Sequence, residues 1–138
     1  MNLYGHKVNQ LGRYFSKALN EGITEHGIYS SQWVVALYIH MNGECTQSEL
    51  ADYLYVEAPT ITRTLSRMEK AGFIEKRIGT DKREKIINLT EKAMEAYPKW
   101  EAVSDSLENK AIEGIDRAEL EIFEKVVAKM MCNLKGDI

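Results

Sequence analysis

Val8, Leu11, Phe15, Leu19 and Ile23 recur at intervals of three and four residues, which predicts a first helix from about Gly5 to His26 with one apolar face. That face needs a partner. The next stretch, Trp33-Val34-Val35-Ala36-Leu37-Tyr38-Ile39, is apolar nearly all round and so belongs in a core, as a second helix capped by Ser30 or Ser31 and stopped at Asn42-Gly43. Thr46-Gln47-Ser48-Glu49 has the spacing of a capping box, which starts a short helix from Gln47 to Leu54. After a turn at Tyr55-Val56-Glu57, a further helix runs from about Ala58 to Ala71, with Pro59 in its first turn and Gly72 at its end. Its inward face is Ile61, Leu65 and Met68, which leaves Thr60, Thr62, Arg63, Ser66 and Arg67 on the other faces.

The period then changes. Phe73 to Ile78 and Lys85 to Leu89 are rich in β-branched residues and flank Gly79-Thr80-Asp81-Lys82, the pattern of a two-stranded hairpin with a charged tip. Helical spacing returns with Tyr97, Trp100, Val103, Leu107 and Ala111, and again with Leu120, Phe123, Val127, Met130 and Leu134. Two long terminal helices with an apolar seam exceed what one small domain covers, so burial against a second copy is expected. The expected fold is mainly α with a small β-hairpin wing, in one compact unit. Its regions are residues 1–42 (dimerisation and core helices), 43–90 (a winged helix-turn-helix) and 91–138 (dimerisation helices).

Composition changes this picture little. At 138 residues there is room for one core, and Met1 to Gln10 carry no long apolar stretch, so neither a signal peptide nor a membrane span is expected and the cytoplasm is the expected location. Cys45 and Cys132 lack both metal-site spacing and disulfide density, and are expected as reduced, mostly buried thiols. Cys45, beside a capped helix start, is also a candidate for a lowered pKa.

Charge changes it more. The net charge of −3 argues weakly against a nucleic-acid partner, but its distribution argues the other way. Thr60 to Thr90 holds eight basic and four acidic residues, whereas the stretch from Glu91 onward holds seven basic and eleven acidic. Positive charge concentrated in one short stretch of an acidic chain fits an element that faces phosphates.

A short capped helix, a turn and a second helix with exposed Thr, Ser and Arg make a helix-turn-helix, whose second helix enters the major groove. Arg63 or Arg67 can donate two hydrogen bonds to a guanine edge, and Thr60, Thr62 and Ser66 can bond bases or phosphates. With Pro59 these form the candidate recognition set; Thr46, Gln47 and Ser48 open the preceding helix, and Arg77, Asp81, Lys82 and Arg83 occupy the wing.

Three stretches in order resemble the MarR family of regulators. They are Thr46-Gln47-Ser48-Glu49-Leu50-Ala51, then Ala58 to Leu65 with Met68 to Ile74, and finally Asp81-Lys82-Arg83 followed after five residues by Leu89-Thr90. The resemblance covers about Thr46 to Thr90. It implies a homodimeric, DNA-binding repressor on a pseudo-palindromic operator, with Arg83 at the minor groove and Asp81 orienting its guanidinium. The competing reading of Asp81 and Arg83 is an exposed ion pair of little consequence. The resemblance also implies a small aromatic or phenolic effector, for which Tyr14, Phe15, Trp33 and Tyr38 are candidate lining residues, although aromatics at helical spacing are as readily core. Two positions depart from the family pattern: Glu57 or Ala58 is a weak cap for the recognition helix, and Ala93 stands where Gly is common after Leu-Thr.

Rival functions find less support. His6, His26 and His40 are scattered, and no His lies between Thr90 and Ile115 to supply paired metal ligands, so no metal or other cofactor is expected. No phosphate-binding Gly loop, His-Glu-any-any-His or Gly-any-Ser-any-Gly is present, which disfavours an enzyme. A winged helix used for protein contacts alone is the stronger alternative; it predicts an uncharged outer face where this chain has Arg63, Arg67 and a basic wing.

Overall fold

The computed structural model describes residues 1–135 and is mainly helical: α1 (Tyr4–Ile23), α2 (Ser30–Asn42), β1 (Cys45–Thr46), α3 (Gln47–Leu54), α4 (Ala58–Lys70), β2 (Ile74–Ile78), β3 (Lys85–Leu89), α5 (Glu91–Ala111) and α6 (Arg117–Lys135). A single 3-10 turn, Thr24–His26, tightens the end of α1 before Gly27 takes φ +90°. The chain divides into two compact units, Met1–Leu107 and one that starts at Glu108, where sequence had pointed to a single unit.

In the first unit α2 is the central helix, burying Gln32, Trp33, Val35, Ala36 and Ile39. It begins one residue earlier than the two serines suggested. Tyr29 is the cap, its backbone N–H donating to Gln32 Oε1 at 3.0 Å, while the Ser30 N–H donates to Asn20 Oδ1 of α1 at 2.8 Å. α4 lays Ile61, Leu65 and Met68 into the same core, matching its inward face as read from spacing. From α5 come Ala93, Tyr97 and Trp100, and the Trp100 indole N–H donates to the His26 carbonyl at 2.9 Å, fixing the α1 exit against α5. Pro98 sits inside α5 without ending it, although it removes one backbone donor.

The hairpin is part of a three-stranded antiparallel sheet in the order β1-β3-β2. β2 and β3 pair from Ile74 opposite Leu89 to Ile78 opposite Lys85, and β1 adds Cys45 opposite Ile87. Sequence reading missed β1 because two residues cannot display a period of two.

The α4 exit is a Schellman turn. The Phe73 N–H reaches the Met68 carbonyl at 2.9 Å, the Gly72 N–H reaches that of Glu69 at 3.0 Å, and Gly72 takes φ +86°. This turn aims the chain from the recognition helix into the wing.

Apolar residues of α1 beyond the core, Tyr4, Val8 and Leu11, are exposed, as is Leu3 just before it, and Phe15 is half-buried. In the second unit α6 has no buried residue; Phe123 and Leu134 are exposed, and Leu120, Val127 and Met130 are half-buried. Each helix therefore carries an apolar stripe without a full partner.

Where α1 does meet α5 the approach is close: a Cβ built on Gly22 would stand 2.9 Å from Val103 Cγ1. Gly22→Ala should therefore lower stability by about 1 kcal/mol, because the steric cost of overpacking, roughly 1–3 kcal/mol, exceeds the gain of up to ~1 kcal/mol in helix propensity. Urea denaturation measures this, and an Ala variant more stable than wild type would show that the approach has slack.

Candidate nucleic-acid interface

The site begins with the cap of α3. The Thr46 hydroxyl accepts from the Glu49 N–H at 3.0 Å, and Glu49 Oε1 accepts from the Thr46 N–H at 3.1 Å, the reciprocal pair that the Thr-any-any-Glu spacing predicts. Leu50 anchors the helix in the core, so Gln47 and Ser48 are held at a defined edge. Tyr55, in the left-handed region at φ 55°, closes α3 and turns the chain toward α4.

α4 then starts from Glu57, whose side chain makes no capping bond, as its residue type implied; Pro59 lies in the first turn, where its missing N–H costs nothing. Pro59, Thr60, Thr62, Arg63, Ser66 and Arg67 are all exposed. Gln47 Nε2 donates to Thr62 Oγ1 at 2.9 Å, tying the two helices of the motif together.

An open groove of about 480 Å³ joins the parts, lined by Thr46, Gln47, Ser48, Ala51, Ala58, Ile61, Arg83, Glu84 and Lys85. The start of α3, the start of α4 and the far end of the wing thus converge on one concavity, although almost forty residues of chain separate Thr46 from Arg83. A second open cavity of about 520 Å³ lies on the opposite flank of α4, lined by Asn20, Tyr29, Ser30, Ser31, Gln32, Thr64 and Arg67.

The wing tip is ordered by Asp81, but not as expected. Its carboxylate accepts the backbone N–H of Arg83 at 3.0 Å, and no ion pair joins the two side chains among the described residues. A short Asp side chain two residues before an N–H forms an Asx turn, so Asp81 shapes the main chain that presents Arg83 and leaves the guanidinium uncommitted. The Gly79 N–H bonds the Glu84 carbonyl at 3.0 Å to close the loop. A Cβ on Gly79 would stand 3.2 Å from Glu84 Cβ and 3.3 Å from Ile86 Cγ1, so a side chain there would crowd the closed loop.

Two other cations are committed. Arg77 Nη2 lies 2.5 Å from Glu44 Oε1, and Lys76 lies 3.7 Å from Glu69, so these residues tie β2 to the segment before β1 and to α4. Arg77, read from sequence as a phosphate contact, is held near the loop end of β2 by a carboxylate that sequence reading did not connect to it. Arg63, Arg67, Lys82, Arg83 and Lys85 are exposed and have no carboxylate within 4.0 Å among the described residues.

The four aromatics considered for an effector do not gather around either cavity. Trp33 packs in the core with its ring 5.3 Å from Tyr97, Tyr38 pairs with Tyr53 at 4.5 Å, Tyr14 is exposed and Phe15 is half-buried on α1. The histidines do not assemble either, and His40 stacks on Tyr97 at 3.9 Å. Among the described residues no three His, Cys, Asp or Glu side chains come together as metal ligands.

With this geometry in view, known proteins give the assignment. The sequence profile of the MarR family matches residues 26–84. The chain is 46% identical over 92 residues to an uncharacterised HTH-type transcriptional regulator, YwoH, of Bacillus subtilis, a span that is 67% of each chain. The chain belongs to the MarR family. Its fold matches that of a SlyA-like transcription regulator from Listeria monocytogenes with a TM-score of 0.90, at 22% identity over 100% of this chain and 98% of that one. It also matches a mutant MarR from E. coli complexed with operator DNA, with a TM-score of 0.83 at 22% identity and 91% coverage of both chains. These two likenesses concern the fold, which is that of a MarR-type winged helix.

Cys45 is buried, the packing role favoured over a lowered pKa. Burial, and secondarily the Glu49 carboxylate, push its thiol up to about 11, while Cys132 is exposed rather than buried. A thiol with its pKa near 11 is about one thousandth thiolate at pH 8, and the thiolate is the reacting form. Native Cys132→Ser protein should accordingly show no rapidly reacting thiol toward an aromatic disulfide reagent at pH 8, and one thiol once urea is added. Fast reaction of Cys45 in the native state would contradict its burial.

Proposed function

We propose that this MarR-family chain is a homodimeric repressor that lays α4 in the major groove and the wing, with Arg83, along the adjacent minor groove of a pseudo-palindromic operator. The observation that carries this reading is the convergence of Thr46, Gln47, Arg83 and Lys85 on one groove at the start of α4. A recognition helix alone supplies base contacts, and a basic wing alone supplies charge. Side by side they follow adjacent grooves of one duplex. Relatives support the reading: YwoH is an HTH-type transcriptional regulator, and structures of E. coli MarR and S. aureus MepR include DNA.

The dimer follows from the two unpartnered stripes. Tyr4, Val8 and Leu11 on α1, and Ile122, Phe123, Val126 and Met131 on α6, leave more large apolar side chains in water than a monomer ordinarily does. A second copy that covers them sets two α4 helices about one helical turn of DNA apart. No described helix is long and apolar enough to cross a membrane, and the proposed place of action is the cytoplasm, where the operator lies.

The test is fluorescence anisotropy with labelled DNA from upstream of the protein's own gene, across a range of salt concentrations. Arg83→Ala should weaken binding about tenfold or more and reduce the slope of log affinity on log salt by about 2, roughly one for each protomer of the dimer. A folded wild-type dimer that binds no DNA at low salt would favour the protein-contact alternative.

A second measurement addresses assembly. Leu11→Lys combined with Phe123→Lys should yield monomers in sedimentation equilibrium, with native helical content and operator affinity reduced at least a hundredfold, because two half-site contacts are no longer joined. A double variant that remains dimeric would place the interface elsewhere.

A further inference from the structure

We propose that Gln47 sets the polarity with which Thr62 reads a base edge, so that a residue of α3 determines the base preference of a residue on α4. The inference rests on the reading of α4 as the recognition helix. A threonine hydroxyl has one proton to donate and two lone pairs to accept with, and it rotates freely, so on its own it serves either a donor or an acceptor on DNA. Thr62 is not on its own. Gln47 Nε2 donates to its oxygen at 2.9 Å, the one side-chain to side-chain hydrogen bond between α3 and α4 among the described residues. That bond occupies a lone pair and turns the hydroxyl proton away from Gln47, toward whatever α4 faces.

The amide is itself oriented. Gln47 Oε1 is buried without a hydrogen-bond partner, whereas the reversed amide would bury two N–H donors at that spot, a less common arrangement than one under-satisfied carbonyl. Gln47 also lines the groove shared with Arg83 and Lys85, so its position is fixed relative to the wing as well as to α4. By contrast the Thr64 hydroxyl is spent within α4, donating to the Thr60 carbonyl at 3.1 Å. Thr62 is therefore the α4 hydroxyl whose proton another element directs outward. An outward proton selects a base that presents an acceptor in the major groove, which guanine, thymine and adenine (through N7) do, and disfavours cytosine, whose groove edge is an amino donor.

Selection from a library of random duplexes by the full chain, followed by sequencing, tests this with wild type, Gln47→Glu, Gln47→Leu and Thr62→Val, with melting temperatures recorded for each. At one position per half-site the wild type should disfavour cytosine on the contacted strand about tenfold. Gln47→Glu offers only acceptors, takes the Thr62 proton and exposes the lone pairs, so the preference at that position should invert toward bases with an amino group. Gln47→Leu and Thr62→Val should both flatten it. Wild-type base preferences retained by both Gln47 variants, with only a lowered melting point, would make Gln47 a structural brace and overturn the proposal. No enrichment by the wild type itself would overturn the regulator reading along with it, an outcome told apart by the wild-type selection alone.

Discussion

The arrangement of the whole DNA-facing surface hangs on one hydroxyl, that of Thr90. It donates to the Gly72 carbonyl at 2.6 Å, at the exit of the recognition helix, and accepts the Ala93 N–H at 3.2 Å, in the first turn of α5; its own backbone N–H bonds the Phe73 carbonyl at 3.1 Å. Three elements that diverge in direction, α4, the wing and α5, are pinned to one residue. An N-cap ordinarily satisfies one helix end. This one also satisfies a carbonyl at the end of another, so a change there releases the recognition helix and the wing together. The Leu-Thr pair thus has a mechanical reason within this chain: Leu89 closes β3 into the core and Thr90 makes the junction.

The electrostatics are finer than the net charge of the basic stretch implies. Of its eight cations, Arg77 and Lys76 are held by Glu44 and Glu69 and brace the sheet against its neighbours, so they stiffen the wing more than they charge it. Lys70 is exposed at the C-terminal end of α4, and Arg63, Arg67, Lys82, Arg83 and Lys85 carry the field that a phosphate backbone would meet. The acidic excess from Glu91 onward has the opposite sign, which repels DNA from other parts of the chain and favours one orientation of approach.

How much of this was legible beforehand depended on how far apart the interacting residues lie. The order of the helices, the Thr46-Glu49 capping box and the inward face of α4 follow from spacings of three and four residues and appear as read, while helix ends shift by a few residues. Contacts across the chain do not announce themselves in that way. Glu44 with Arg77, Gln47 with Thr62, and Trp100 with the His26 carbonyl span 33, 15 and 74 residues, and each depends on a tertiary approach that periodicity does not encode. The role of Asp81 was misread for a related reason. A carboxylate two residues before an arginine suggests a side-chain pair, but the nearer and better placed donor is the backbone N–H, and the turn uses that one. The cap of α2 is a further case: Tyr29 precedes two serines yet serves as the cap, its own N–H taken by Gln32 Oε1 and that of Ser30 by Asn20 Oδ1, a residue of another helix.

The apolar stripes add a constraint on how such a molecule would read DNA. A recognition helix of 13 residues with a few exposed Thr, Ser and Arg side chains touches only a handful of base pairs, too few to single out one site in a genome. Joining two copies multiplies the discrimination of each, since the second half-site is engaged at high effective concentration once the first is bound. The gain depends on the distance between the two α4 helices being held, and rigid helices packed through α1 and α6 hold a distance better than a flexible linker does. Unpartnered apolar residues at both ends of the chain are therefore more than leftover hydrophobic surface: in the proposed dimer they convert two short, weakly selective motifs into one reader of adequate length.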